Sequence, residues 1–349
     1  MRLALLLAGG GAACRRLLAA PCAMANPESA IEAGAPRALV RTARQLLCRE
    51  VDQVLENAVG AGWRWLVPGD GEFPSLIEAI ADPPLGLFVR GSLSSAPPVA
   101  VVGSRRATRY GLQVARMLGE ELARAGVVVV SGMARGVDAA AHRGALDAGG
   151  PTWAIWGAGP DRVYPPEHGR LAEGIASGGA LITEYPPGTS PRRHHFPERN
   201  RLIAGACQAT VVVEAAARSG ALSTARVAVE EGREVFSVPG PIFSDTSVGP
   251  NTLLRIGARP LQTPGDVLDF VLPGWRNSPA GKGDTAAREA LLEYLPAGQG
   301  LTADEVAAAA GIGVGEALSR LLTLEVSGTV ERGADGRYAR VRGMTAAGS

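Results

Sequence analysis

From Val99 onward the chain repeats one pattern: a short unbroken apolar run, a polar turn rich in glycine, then an amphipathic helical stretch. The runs Val99–Val102, Val127–Val130, Thr152–Trp156, Ala180–Thr183, Ala209–Val213 and Glu234–Val238 predict strands. Helices are predicted near Gly111–Ala125, Ala139–Ala148, Arg201–Cys207 and Leu222–Glu231. A strand that is apolar at every position has no polar face to turn to water, so both of its faces must be covered. Alternation with helices then predicts an α/β fold built on a parallel sheet.

The flanks read differently. Residues 1–60 are helical in pattern, with Ala, Leu and Arg at amphipathic spacing from Arg37 to Val59. Trp63 to Pro98 is punctuated by Pro and Gly around short apolar runs such as Leu85–Val89. Residues 273–284 have a linker's composition. Beyond them Ala286–Tyr294, Thr302–Ala310 and Val314–Leu324 predict three helices, and Gly328–Arg332 with Arg337–Val341 predicts a hairpin. Three helices and a hairpin in that order form a winged helix. The expected organisation is therefore a helical domain over 1–60, a sheet domain over 61–272, the linker 273–284 and a winged-helix module over 285–345.

Charge bears on function only when localised. The net charge is +1 over 349 residues, which averages to a poor nucleic-acid binder. Lys282 is the only lysine, so nearly all the basic side chains are arginine, the planar fork suited to phosphates and stacking; genome base composition also produces such a bias. Four cysteines (Cys14, Cys22, Cys48, Cys207) show no C-x-x-C pair and no histidine at ligand spacing. They read as reduced thiols of a cytoplasmic protein. Met1–Cys14 resembles a short secretory or lipoprotein signal, but its apolar stretch is short and Arg15-Arg16 follow at once. No apolar run reaches membrane-spanning length.

In an open parallel sheet, ligands bind beyond the carboxyl ends of the strands. Three Gly-rich turns fall there: Gly103-Ser104-Arg105-Arg106-Ala107-Thr108-Arg109-Tyr110-Gly111, then Ser131-Gly132-Met133-Ala134-Arg135-Gly136-Val137-Asp138, then Gly157-Ala158-Gly159-Pro160-Asp161. Such turns aim backbone N–H groups at anions, although glycines there also serve close strand–helix packing. Three arginines in the first turn favour a phosphate site. No G-x-x-x-x-G-K-[ST] is present and no G-x-G-x-x-G follows the first strand, so neither a P-loop NTPase nor a dinucleotide oxidoreductase is indicated, and no cofactor is expected. His168 and the His194-His195 pair lack metal spacing.

The densest polar cluster runs from Thr183 to Arg201. Its arginines (Arg192, Arg193, Arg199, Arg201) interleave with Phe196, and Tyr185 precedes them. Arginines track phosphates while rings stack on bases, a combination suited to single-stranded nucleic acid. Catalytic pairs are weaker: Asp138 and His142 share a helix face, and Glu184 and Glu214 follow strand ends as a conceivable acid/base pair.

In this order, the stretches V-G-S-R-R-A-T-R-Y-G (Val102–Gly111), S-G-M-A-R-G-V-D-A-A-A-H (Ser131–His142) and G-A-G-P-D-R-V-Y-P-P (Gly157–Pro166) resemble the DNA processing protein A family (DprA, also called Smf). Thr183–Gly188, F-P-E-R-N-R-L-I-A-G (Phe196–Gly205), V-E-A-A-A-R-S-G-A-L-S-T-A (Val213–Ala225), Val238–Gly240 and Gly249–Asn251 continue the match, and Asp82–Gly91 resembles the entry to that core. The resemblance implies an extended Rossmann-like domain that binds single-stranded DNA, protects it and helps load a RecA-type recombinase in natural transformation. It implies a homodimer and no catalytic turnover.

The implied DNA-binding residues are Gly103, Ser104, Arg105 and Arg106 in the first turn, and Gly132 in the second. Arg193 lies three before the stacking ring Phe196, and Arg199, Asn200, Arg201 and Gly220 complete the set. Two departures stand out. Tyr164–His168 ends in His where the family usually has Asn, and Gly9–Leu18 lacks the Gly-Ile-Gly hairpin of the SAM-like N-terminal domain, which is atypical here. Residues 284–349 carry six arginines against nine acids, with only Arg320 on Val314–Leu324. A duplex-reading helix should be more basic, so this module is expected to contact protein. The rival expectation is a nucleoside-monophosphate phosphoribohydrolase using Glu184 or Glu214, but its P-G-G-x-G-T-x-x-E stretch is absent.

Overall fold

The computed structural model describes residues 3, 7, 37–46, 50–275, 291–295, 300–326, 329–333 and 335–341. The chain divides into two compact units, Met1–Val271 and Leu272–Ser349.

In the first unit, helices α1 (Arg37–Leu46) and α2 (Glu50–Gly60) lead into β1 (Trp63–Leu66), α3 (Ser75–Glu78) and β2 (Leu87–Gly91). The core alternates as β3 (Pro98–Val102), α4 (Arg109–Arg124), β4 (Val128–Ser131), α5 (Val137–Asp147), β5 (Thr152–Ile155), α6 (Gly169–Gly178) and β6 (Ala180–Thr183). It continues with α7 (His195–Gly205), β7 (Ala209–Val212), α8 (Gly220–Glu230), β8 (Glu234–Ser237), α9 (Val248–Arg255), β9 (Arg259–Pro260) and α10 (Pro264–Val271).

The strands form one nine-stranded sheet in the order β1-β2-β6-β5-β4-β3-β7-β8-β9. All pairings from β6 to β9 are parallel, as the unbroken apolar runs require. The other edge differs: β2 runs antiparallel to β6, and β1 antiparallel to β2. Direction is not encoded in periodicity, so a Pro- and Gly-punctuated segment concealed these two strands.

Alternation along the strands builds a core on each face. Trp153 and Ile155 of β5 join Leu87, Val89, Leu202 and Ile203 on one side. Ala154 turns to the other, with Phe88, Met133, Trp156, Leu171 and Ile175. Leu3 and Ala58 from the helical N-terminal segment belong to that second core. Successive side chains of a strand point to opposite faces, so one sheet carries both.

Two boundary differences bear on the site. Helix α4 starts at Arg109, capped by Thr108, whose side chain accepts from the Gly111 N–H. Helix α7 starts at His195, six residues before the expected Arg201. Pro197 therefore sits in its first turn, where a missing N–H costs nothing, and Phe196–Arg201 ride on a helix.

In the second unit, α11 (Ala303–Ala310), α12 (Val314–Val326), β10 (Val330–Arg332) and β11 (Tyr338–Arg340) give the helices and antiparallel hairpin of a winged helix. Thr302 and Glu305 close a capping box on α11. Val306, Leu321, Leu324, Val330 and Tyr338 pack its core. Val314, Leu318 and Leu322 of α12 are exposed, and Arg320 pairs with Glu316. The first expected helix of the module lies mostly outside the described residues, as do Met1–Cys14's signal-like pattern and Gly9–Leu18 beyond Leu3 and Leu7. No helix among the described residues is long and apolar enough to cross a membrane.

Candidate nucleic-acid interface

Strand order reverses between β3 and its neighbours β4 and β7, which makes the carboxyl ends of these strands the expected ligand crevice. At the β7 end, Glu214 takes the anion position of α4 for itself. Its carboxylate accepts from the Thr108 N–H at 2.9 Å and the Thr108 hydroxyl at 2.6 Å. A fixed negative charge there disfavours a phosphate at the N-terminus of α4.

The concave site opens beside it, over β4 and β5. It is a shallow depression lined by Arg105, Gly132, Ala134, Arg135, Trp156, Gly157, Ala158, Arg162, Tyr164, Pro165, Phe196 and Arg199. Among the described residues, no carboxylate lines it. Arg135 pairs with Glu167, and Arg162 lies 3.6 Å from Asp161. Among the described residues, no acid pairs with Arg105, which is exposed and stands 5.0 Å over the Phe196 ring.

The rim is assembled by backbone contacts. Gly136, at φ +78°, lies against the first turn, where a Cβ would come within 2.2 Å of the Ser104 carbonyl. The Ser104 carbonyl accepts from Val137 N–H, and its hydroxyl accepts from Arg106 N–H. These contacts tie the Arg105 turn to the start of α5. Phe196 sits on Gly157, with Tyr164 tilted against it at 5.4 Å. His195 donates from Nδ1 to the Gly157 carbonyl and stacks on Tyr185 at 4.3 Å. Burial lowers the His195 pKa.

The floor is polar and buried. Arg199, 4% exposed, donates from Nη1 to the carbonyls of Gly132 and Ile155. A Cβ on Gly132 would fall 2.5 Å from its guanidinium, so any side chain there would push the arginine aside. Asp138 accepts from the N–H groups of Gly132 and Ala134 at 3.1 and 3.3 Å. Met133 between them has φ 55°, an uncommon conformation for a side-chain-bearing residue, and its carbonyl accepts from His168 Nδ1 at 2.9 Å. Burial lowers the Arg199 pKa to about 10 and raises that of Asp138.

The predicted residues therefore separate. Gly132, Arg105, Phe196 and Arg199 meet in the site, beside the turn holding Gly103, Ser104 and exposed Arg106. Arg193 lies exposed in the turn ahead of α7, outside the lining. Asn200 turns to the Gly220 carbonyl at 3.3 Å. Arg201 is buried against Glu184 and lies 3.2 Å from Asp82. Tyr185 faces inward, donating to Glu198 at 3.1 Å.

Trp156, Tyr164, Arg135 and Arg162 line the site without having been singled out. Their signal was their place in the loops that follow β4 and β5. The members of the catalytic pairs are each engaged: Glu184 with Arg201, Glu214 with Thr108, His142 with Thr152 at 2.7 Å, and Asp138 with the Gly132 and Ala134 N–H groups in the floor. Among the described residues no cluster could hold a metal ion.

The DNA recombination-mediator protein A family model matches residues 64–272, the whole sheet with its strand-end loops. The chain belongs to this family. A DprA winged helix domain model matches residues 276–336. The putative DNA processing protein DprA of Mycobacterium tuberculosis is 42% identical over 319 residues, covering 84% of this chain and 82% of the relative. Protein Smf of Escherichia coli is 39% identical over 290 residues, covering 79% and 77%.

Among solved structures, DNA processing protein A from Streptococcus pneumoniae superposes with a TM-score of 0.64 at 36% identity, covering 69% of this chain and 85% of that one. The Helicobacter pylori protein, whose structure addresses its single-stranded DNA binding mode, gives 0.55 at 29% identity, covering 60% and 96%. The chain is thus a DNA-processing family member with a mostly parallel sheet and a winged helix.

Proposed function

We propose that the protein binds single-stranded DNA at this site, protects it, and passes it to a RecA-type recombinase during natural transformation, without chemical turnover. The observation that carries this reading is Arg105, unpaired with any acid among the described residues, standing over Phe196 at the mouth of a site with no carboxylate in its lining. A splayed base brings its face to Phe196 and Tyr164 while its phosphates meet Arg105, with Arg106 and Arg193 along the exposed path. Stacking of this kind tolerates any base. The single-strand binding mode addressed for the H. pylori relative supports the reading. Action in the cytoplasm as a homodimer belongs to the same proposal. The winged helix, with aliphatic side chains on α12 and its arginine paired, serves protein contact in this account.

Fluorescence anisotropy with labelled oligonucleotides tests the reading. Micromolar or tighter binding to single strands is expected, indifferent to sequence, together with stimulated assembly of a RecA-type recombinase on them. Release of free base from a nucleotide panel, without oligonucleotide binding, would overturn it.

A further inference from the structure

Two of the arginines lining the site, Arg105 and Arg199, have opposite surroundings. Arg105 is exposed, and its guanidinium stands over the Phe196 ring with no acid paired to it among the described residues. Arg199 is buried, and Nη1 already bonds the ends of two adjacent strands through the carbonyls of Gly132 and Ile155. Its guanidinium lies flat against Gly132.

The peptide units on either side of Gly132 are gripped from two directions. Arg199 holds its carbonyl and Asp138 its N–H, while His168 holds the next carbonyl, that of Met133. Met133 has positive φ, a conformation its own side chain disfavours. Buried hydrogen bonds are what maintain such a turn, because the released chain would relax. The same turn leads through Ala134 to Gly136, which carries Ser104 and Arg105 on its back.

We propose that Arg199 is a positioning residue: it bolts the Gly132–Ala134 turn to the end of β5 and so fixes the base on which the Arg105 turn rests, while Arg105 meets the phosphate. This rests on the single-strand reading above. Salt dependence separates the two roles. A cation that neutralises a phosphate contributes to counterion release, about 0.7 in the slope of log K against log salt for single strands. One that only shapes the site contributes affinity without slope.

The test compares oligo(dT) binding by the full chain, Arg105→Gln, Arg199→Lys and Gly132→Ala across a salt series, with circular dichroism confirming the fold. Arg105→Gln is expected to flatten the slope by about 0.7. Arg199→Lys keeps the charge but not the flat two-strand bridge, and should weaken binding on the order of tenfold at unchanged slope. Gly132→Ala, which retains Arg199 but pushes its guanidinium aside, should do the same and carries the comparison if Arg199→Lys does not fold. Near-native affinity for both Arg199→Lys and Gly132→Ala overturns the proposal. A flattened slope in Gly132→Ala, with Arg199 no longer at its phosphate, overturns it too. Absence of binding by the unaltered protein would instead sink the single-strand reading itself.

Discussion

The Ser104–Gly111 turn and the Pro191–Arg201 segment are both arginine-rich, and the fold uses them differently. In the first, Arg105, Arg106 and Arg109 are all exposed. In the second, Arg192 and Arg193 are exposed while Arg199 and Arg201 are buried. Half the apparent basic surface of the second segment is internal scaffolding. Local charge counted along the chain therefore overstates the exposed basic surface of one segment and describes that of the other well.

The sharpest way to break this contrast is Arg201→Ala. It strips the cation from Glu184, which is 2% exposed. Removing one partner of a buried pair costs about 3–5 kcal/mol, to be read from urea unfolding. A loss as small as that of Arg106→Ala would show that the buried arginine is no more structural than the exposed one.

Next in size is an acid effect in α5. Burial lowers the His142 pKa to about 3, so the ring folds neutral, bonded to Thr152. Between that value and the ordinary 6.5 the unfolded chain binds the extra proton. Stability is therefore complete above pH 6.5 and is lost as pH falls towards 3. By pH 4 the loss is ~3 kcal/mol at about 1.36 kcal/mol per unit. His142→Gln should flatten that slope; an unchanged pH profile would place the acid sensitivity elsewhere.

Phe196→Ala should weaken single-strand binding by about 1–3 kcal/mol if a base stacks there, with unfolding free energy little changed because the ring is only partly buried. The smallest effect belongs to Arg193→Ala, at the exposed start of the second segment. It should lower the salt slope by about 0.7 with a modest affinity loss. Equal effects from Arg193→Ala and Arg201→Ala on both stability and binding would erase the contrast.

Much of the fold was legible in the residues. The unbroken apolar runs place six strands to within a residue or so, because burial on both faces leaves a signal that needs no partner to read. The β1–β2 edge was not, since Trp63-Arg64-Trp65-Leu66 is too short and mixed to announce a strand or its direction. At the candidate site, Arg105 and Gly132 stood out from glycine and arginine at strand ends, and Phe196 from its place among arginines. The inward turn of Arg201 and the bridging by Arg199 were not legible. Each depends on a carboxylate or carbonyl brought in by another strand, and spacing along the chain holds no trace of that. The helix expected near Arg201 in fact starts at His195, with Pro197 in its first turn.

The most direct test of the account is the salt dependence of oligo(dT) binding by the full chain beside Arg105→Ala, followed by fluorescence anisotropy. The account predicts steep weakening with salt for the unaltered protein, and for Arg105→Ala weaker binding with a slope shallower by about 0.7. Identical affinity and slope for the two proteins would contradict it.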